Sequence, residues 1–300
     1  MTIQHFLTLD DLTPDQLNRL IDRAIELKTQ NGQGEIYQPL KNKSLAMIFS
    51  KSSTRTRVSF EVGMRQLGGG TLSLNPNDTQ IGRGESIEDT ARVISSMVDG
   101  VMIRTDSHDK VERFAQYSSV PIINGLTDDY HPCQLLADMQ TFQELRGSIR
   151  GATIAWVGDG NNVCHSFMNA ARILGFTLNI ATPKGFEPSP EIIQRNKQSI
   201  ELGNDPQAAV HNADAVVTDT WASMGQEQEK QDRLKAFAGF CVDDTLMALA
   251  NPKALFMHCL PAYRGMEVSN SVIEGPQSAV FQEAENRLHA QKALLELLLG

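Results

Sequence analysis

Apolar residues recur along this chain at two alternating periods. In TPDQLNRLIDRAIELK, positions 13–28, Leu17, Leu20, Ile21, Ala24 and Ile25 repeat at helical spacing and make one apolar face. Thr13, Pro14 and Gln16 supply the cap, the first-turn proline and the returning amide of a capping box, so a helix starts there. The polar NGQG ends it. SLAMIF, at 44–49, is short and apolar on both faces, as a central strand covered by helices on each side must be. The alternation continues with a helix near 55–67, a strand near 70–74, a helix near 86–95 and a strand near 99–103, followed by another helix and a strand in VPIING. Short apolar runs separated by helical stretches predict βα crossovers, hence parallel pairing in an α/β fold. GATIAWVGDG, at 151–160, restarts the pattern, with further strands expected in TLNIA, DAVVTD, AGFCVDD and KALFMHC. A helix from about Pro276 to Leu299 is denser in apolar residues than a solvated helix, and either completes a domain core or returns to the first domain. The expected architecture is two domains, each with a central, mainly parallel sheet flanked by helices.

Composition narrows the partners. A length of 300 residues suits two domains of about 150 residues each. With 27 Lys plus Arg against 36 Asp plus Glu, the formal charge is −9, which repels a phosphate backbone and argues against a nucleic-acid partner. A small phosphorylated substrate is still allowed, because a pocket needs only two or three arginines. Cys133, Cys164, Cys241 and Cys259 form no C-x-x-C pair and no zinc-like spacing, which favours a reducing compartment and no metal. The start MTIQHFLTLDDLTPDQ lacks a basic-then-apolar leader, and no long apolar run occurs. A soluble cytoplasmic protein without a membrane partner is the expectation.

Polar chemistry gathers where the predicted strands end. In FSKSSTRTRVSFE, Ser52, Ser53, Thr54, Arg55 and Thr56 lie between an apolar strand and a helix. Such a junction offers free backbone N–H groups, hydroxyls and a guanidinium fork to the oxygens of a phosphate, although a capped helix with a solvated basic turn reads the same way. No G-x-x-x-x-G-K-[ST] occurs, so nothing supports ATP hydrolysis. Arg104 follows MVDGVMI at another strand end, where the ligand crevice of a parallel sheet opens. His131 and Gln134, in DDYHPCQLLAD, precede a helix near the domain boundary, where His131 can hydrogen-bond a substrate carbonyl. GDGNNV, at 158–163, sits where a dinucleotide turn would, but asparagines replace the later small residues and no ribose-binding acid follows TLNIA. That argues against NAD, and no cofactor is expected. Asn161 can cap the next helix and Asn162 can face a ligand. In DAVVTDTWASMG, Asp219 ends a strand and can hold an ammonium, with Ser223 and Met224 in the loop after it. Cys259 follows His258 in FMHCLPAYRG, but neighbours on an extended segment point apart, which weakens a Cys-His nucleophile pair.

The stretches SSTRTRVSFE, HPCQ, GDGNNV, DTWASMG and HCLP, in that order and across nearly all 300 residues, closely resemble the aspartate/ornithine carbamoyltransferase family. SMG and HCLP separate the ornithine branch from the aspartate branch. The resemblance implies a carbamoyl-phosphate domain over 1–132, completed by the C-terminal helix 277–300, and an ornithine domain over 133–276. It implies that phosphate meets Ser53, Thr54, Arg55, Thr56 and Arg104, joined by Gln80 of a neighbouring subunit. The carbonyl oxygen then faces Thr56, Arg104, His131 and Arg287, while Gln134 and the Leu260 carbonyl orient the carbamoyl amine. Arg287, isolated in AENRLHAQK, would otherwise read as a solvated helix residue. Ornithine would meet Asn162, Asp219, Ser223 and the Met224 backbone, with its side-chain amine near Cys259.

On this resemblance the chain is an enzyme that transfers a carbamoyl group from carbamoyl phosphate to L-ornithine, giving L-citrulline and phosphate, in arginine metabolism. Arg55, Arg104, His131, Cys259 and Arg287 would carry the chemistry, with no cofactor and no metal, in a homotrimer or a multiple of it. N-Acetylornithine or another amine is an alternative acceptor. A noncatalytic phosphate and amino-acid binder is a second class, which leaves His131, Cys259 and Arg287 without a purpose. An NAD-dependent oxidoreductase, resting on GDGNNV alone, is a third.

Overall fold

In the computed structural model of the chain, the described residues are 4–51, 53–75, 84–221 and 230–300. They fall into two units, Met1–Gln140 with Glu285–Gly300, and Thr141–Ala284.

The first unit begins with helix α1 (Pro14–Gly32), where the Thr13 hydroxyl accepts from Gln16 N–H and the Gln16 side chain returns the bond. Strand β1 (Ser44–Phe49) leads to α2 (Thr54–Gln66), β2 (Gly70–Leu74), α3 (Ile87–Ser95), β3 (Gly100–Arg104), α4 (His108–Tyr117) and β4 (Ile122–Leu126). Among the described residues the sheet runs β2-β1-β3-β4, with every pair parallel. Ala46, Ile48, Val101, Ile103 and Ile122 meet Val111 and Phe114 of α4 in a buried cluster, so the unbroken apolar strands are buried as helices on a parallel sheet require. Helix α5 (Pro132–Arg146) follows, and the unit boundary falls inside it.

The second unit continues with β5 (Thr153–Val157), α6 (Asn162–Leu174), β6 (Thr177–Ala181), α7 (Pro190–Asn196), β7 (Ile200–Gly203), α8 (Pro206–Val210) and β8 (Ala215–Thr218). After it come α9 (Lys230–Ala236), α10 (Asp244–Met247), β9 (Leu255–His258), α11 (Asn270–Ile273) and α12 (Val280–Leu299). Its described strands order as β7-β6-β5-β8-β9, again all parallel. Most of α12 belongs to the first unit. There Arg23 of α1 donates from Nε to Glu296 at 2.8 Å, and Gly63 of α2 lies against the side chains of Leu288, Lys292 and Leu295.

Two expectations need correction. AGFCVDD is not a strand: Val242 makes one isolated bridge to Val268, and its apolar residues serve the core from a loop. The fifth strand is instead IELG, β7, a largely exposed edge with no apolar signal to mark it. Helix α12 starts at Val280, after 277–279 run beside β9, where Phe256 N–H donates to Gln277 O at 2.8 Å and Ala279 N–H to Phe256 O at 2.9 Å. The two units divide at 140/141 and 284/285, and α5 and α12 run unbroken through those points.

Candidate active site

Both sheets change winding direction once, and the polar ends of the strands at those two places carry described candidate residues, Arg104 after β3 and Asp219 after β8 among them. In β2-β1-β3-β4 the reversal lies between β1 and β3, and in β7-β6-β5-β8-β9 between β5 and β8. Crossovers leave such neighbouring strands in opposite directions, which opens a crevice beyond their carboxyl ends.

In the first unit Phe49 pairs with Arg104, and Ser50 N–H donates to Arg104 O at 2.8 Å, so the turn after β1 starts beside the end of β3. Ser53 caps α2, its hydroxyl accepting from Thr56 N–H at 3.3 Å. Thr54 is exposed and Arg55 half-buried on the first turn. Thr56 is buried, and its hydroxyl oxygen accepts from Arg104 Nη1 at 3.4 Å and from Arg287 Nη2 at 3.2 Å. The end of β4 makes the remaining wall, with Thr127 and Tyr130 closing a turn through Thr127 N–H to Tyr130 O at 2.9 Å and Tyr130 N–H to Thr127 Oγ1 at 3.2 Å. That turn delivers buried His131 to the start of α5. Gln134 lies within the first turn of α5, not before it, and its Oε1 accepts from Arg287 Nη1 at 2.7 Å while its amide donates to Asp138 at 2.7 Å.

Arg287 is buried, not solvated. Beyond Thr56 and Gln134 it donates from Nε at 3.1 Å and Nη2 at 2.9 Å to Gln291, whose amide, so oriented, donates to Ser59 Oγ. Burial pushes the His131 imidazole well below its usual range, and the guanidinium groups of Arg287, Arg104 and Arg55 push it the same way. The site therefore combines fixed positive charge with a neutral imidazole. Cys133 is no nucleophile here: burial pushes its thiol up to about 12, and Sγ donates to Asn124 O at 3.3 Å.

In the second unit Gly158 takes φ 141°, and a Cβ on Gly160 would run into Pro188 N and Glu187 C. The two glycines of GDG thus serve a tight turn and a close backbone approach, which accounts for them without a dinucleotide. Asn161 caps α6, its Oδ1 accepting from Val163 N–H at 3.0 Å and Cys164 N–H at 3.1 Å, and its Nδ2 donating to Asp219 Oδ2 at 2.8 Å. Asn162, the first residue of α6, is half-buried. Asp219 Oδ1 accepts from Thr220 N–H at 2.7 Å and from Cys259 Sγ at 3.2 Å, so the ends of β5, β8 and β9 meet at one carboxylate.

The expectation that His258 and Cys259 point apart needs revision. Strand β9 ends at His258, so strand alternation does not govern Cys259, and ligand atoms of Asp219, His258 and Cys259 lie within 4.8 Å of one another. Those atoms form the only trio of potential metal ligands among the described residues. Hydrogen bonds account for their approach. His258 Nδ1 accepts from Leu260 N–H at 2.9 Å, which leaves Nε2 as the protonated nitrogen facing Glu267 Oε1 at 3.3 Å. Both ring nitrogens are committed, and His258 is no base for the thiol. Leu260 has φ 53° and precedes a cis peptide bond to Pro261.

The structure thus sets Ser53, Thr54, Arg55 and Thr56 at the start of α2, joins Thr56, Arg104, Gln134 and Arg287 in one hydrogen-bonded cluster beside His131, and sets Asn162, Asp219, Cys259 and Leu260 just beyond the ends of β5, β8 and β9. Gln80, Ser223 and Met224 lie outside the described residues. Sequence reasoning missed Gln291 and Asp138, which stand four residues after Arg287 and Gln134 on their helices and so share a face with them.

Two all-parallel units each end their central strands in a polar cluster, one built on guanidinium groups and the other on a carboxylate, the arrangement of a two-domain α/β protein. The chain belongs to the aspartate/ornithine carbamoyltransferase family: residues 4–144 match its carbamoyl-P binding domain and residues 150–298 its Asp/Orn binding domain. It is 61% identical to Ornithine carbamoyltransferase of Hydrogenovibrio crunogenus over 300 residues, spanning 100% of this chain and 99% of that one. The protein of the same name from Acinetobacter baylyi is 60% identical, covering 100% and 98%. Among solved structures, Ornithine carbamoyltransferase from Pyrococcus furiosus superposes with a TM-score of 0.96 at 49% identity, covering 100% of this chain and 98% of that one. That from Burkholderia thailandensis gives 0.93 at 50% identity, covering 99% of each. Among the described residues no helix is long and apolar enough to cross a membrane.

Proposed function

We propose that the chain is an ornithine carbamoyltransferase, transferring the carbamoyl group of carbamoyl phosphate to the side-chain amine of L-ornithine. The observation that carries this reading is the convergence of half-buried Arg104 and buried Arg287 on buried Thr56, beside a neutral His131. Guanidinium groups aimed at one point favour an oxygen on which negative charge grows, which is the demand of carbonyl addition.

In this reading Ser53, Thr54, Arg55, Thr56 and Arg104 take the phosphate, and Thr56, Arg104, His131 and Arg287 take the carbonyl oxygen. Gln134, which accepts from Arg287, and the Leu260 carbonyl orient the carbamoyl amine. Asp219, Asn162, Ser223 and the Met224 backbone hold the head group of ornithine, and Cys259 orients the reacting amine. The neutral amine attacks the carbonyl carbon, forming the C–N bond. The C–O bond to phosphate then breaks, its electron pair leaving with phosphate, while the nitrogen passes one proton to the departing phosphate. No acyl-enzyme forms.

Assembly into a homotrimer or a multiple of it, with Gln80 contributing across subunits, is part of the same reading, and exposed Val58, Leu72, Val93 and Met97 of the first unit leave apolar surface available to an interface. The cysteines are thiols, which suits a cytoplasmic enzyme of arginine metabolism. An acceptor panel of ornithine, N-acetylornithine, putrescine and aspartate, read as product identity together with phosphate release, tests the assignment. Citrulline is the expected product. Phosphate release without a carbamoylated product, or preference for another acceptor, contradicts it.

A further inference from the structure

One nearly enclosed ion pair of the second unit plays no part in the chemistry above. Arg233 of α9 donates from Nη1 to Asp159 Oδ2 at 2.8 Å and to the Trp221 carbonyl oxygen at 2.6 Å, with the two charged side chains 12% and 13% exposed. Its guanidinium stands 4.9 Å from the centroid of the Phe186 ring, and Phe186 and Trp221 both pack on Phe237. One side chain thereby ties three segments together: the β5–α6 turn, the chain leaving β8, and α9.

Those segments carry the acceptor residues. Asp159 stands two residues before Asn161, whose amide holds Asp219, and Trp221 stands two residues after Asp219. The Trp156 indole donates to Asp159 O at 2.9 Å and fixes the same turn from below. A buried ion pair is weak evidence for stability, since an apolar replacement of similar volume often does as well. Here the pair instead ties together the turn bearing Asn161 and the segment after Asp219. We propose that Arg233 and Asp159 are positioning residues for the acceptor site, setting the separation between the Asn161–Asn162 turn and the Asp219 segment to fit an amino-acid head group. Burial pushes the Asp159 carboxyl up; Arg233 opposes that shift, and nearby Asp219 adds to it. Without the guanidinium the carboxyl loses its anchor, and the turn bearing Asn161 loses its register with Asp219.

The inference rests on the proposed placement of the acceptor at Asp219 and Asn162. Steady-state kinetics of the full-length enzyme with Arg233→Lys, Arg233→Leu, Asp159→Asn, the Arg233→Leu/Asp159→Asn pair and Asp219→Asn test it, each with a thermal melt. Arg233→Leu and Asp159→Asn are expected to raise the ornithine KM about tenfold, equivalent to about 1.4 kcal/mol, and to leave the carbamoyl-phosphate KM within about twofold. The pair is expected to be no worse than the worse single variant, because both remove one interaction, and Arg233→Lys to recover part of the loss. A merely structural role lowers melting temperature and active fraction without moving one KM against the other. Parental ornithine KM in folded variants, or equal rises in both KM values, overturns the proposal. Should Arg233→Leu fail to fold, Arg233→Lys and Asp159→Asn decide by the same criteria. A large ornithine defect in Asp219→Asn with parental Arg233 and Asp159 variants overturns the positioning role alone, whereas a parental Asp219→Asn overturns the acceptor assignment and this inference with it.

Discussion

Thr56 has one hydroxyl oxygen and two guanidinium donors upon it, an arrangement that gathers positive charge in a buried place. Half-buried Arg55, one residue earlier, adds a third cation on the phosphate side. Arg55→Ala is expected to cost about 2–4 kcal/mol of transition-state stabilisation, about thirtyfold to nearly a thousandfold in carbamoyl-phosphate efficiency. Near-parental efficiency in a folded variant would remove Arg55 from the clamp. His131 makes a pH prediction. Its native value is depressed below the ordinary one of about 6.5, so between those values the unfolded chain binds a proton that the native one does not. Its contribution is complete above the unfolded value and is lost as pH falls towards the native value. From about pH 7 to about pH 5 the parent is expected to lose melting temperature more steeply than His131→Gln. Parallel curves would refute that. Cys259 donates to Asp219 and has no available base in His258, which supports amine orientation over covalent catalysis. Cys259→Ser is expected to spare carbamoyl-phosphate binding and impair ornithine turnover. A carbamoyl adduct on Cys259, formed fast enough for turnover and seen by rapid quench with intact-protein mass measurement, would contradict direct attack. At this scale the sequence made Ser53 to Thr56, Arg104 and Asp219 legible because they sit at the ends of strongly apolar strands. Arg287 was not legible from its surroundings, since burial on a helix with polar neighbours leaves no local periodic signal.

Strand order explains why separate motifs share crevices. SLAMIF and GVMIR are neighbours only through a crossover, and their pairing sets Arg104 beside the turn that becomes the first residues of α2. The apolar runs foretold those strands because both faces are buried. They could not foretell β7, an exposed edge, nor exclude AGFCVDD, whose Phe240 and Val242 fill the core from a loop. Residues 277–279 looked helical because they adjoin a long helix, yet their backbone bonds go to Phe256. The GDG turn makes a testable claim at this level. Backbone at 187 and 188 cannot yield to a Cβ as a flexible side chain could, so Gly160→Ala is expected to destabilise the protein by about 1–3 kcal/mol. The denaturant midpoint checks it, and an unchanged midpoint would mean that the turn adapts.

Taken as a whole, the molecule divides its labour between two units with the same winding principle. The ordered motifs made that division legible, while the boundaries inside α5 and α12 were hidden because continuous helices carry no break in pattern. Assembly is tested by native mass, with a trimer or its multiple expected. Mixing Arg55→Ala chains with Gln80→Ala chains should restore some activity if Gln80 serves a neighbour's site. A stable, fully active monomer would contradict that assembly. The central claim is transfer of the carbamoyl carbon to the ornithine side chain. Its most direct test is a single turnover with carbamoyl phosphate labelled with carbon-13 and stoichiometric ornithine. The label should enter the ureido carbon of citrulline as fast as phosphate appears. Phosphate appearing while the label goes to bicarbonate, or to any other acceptor, would contradict the account.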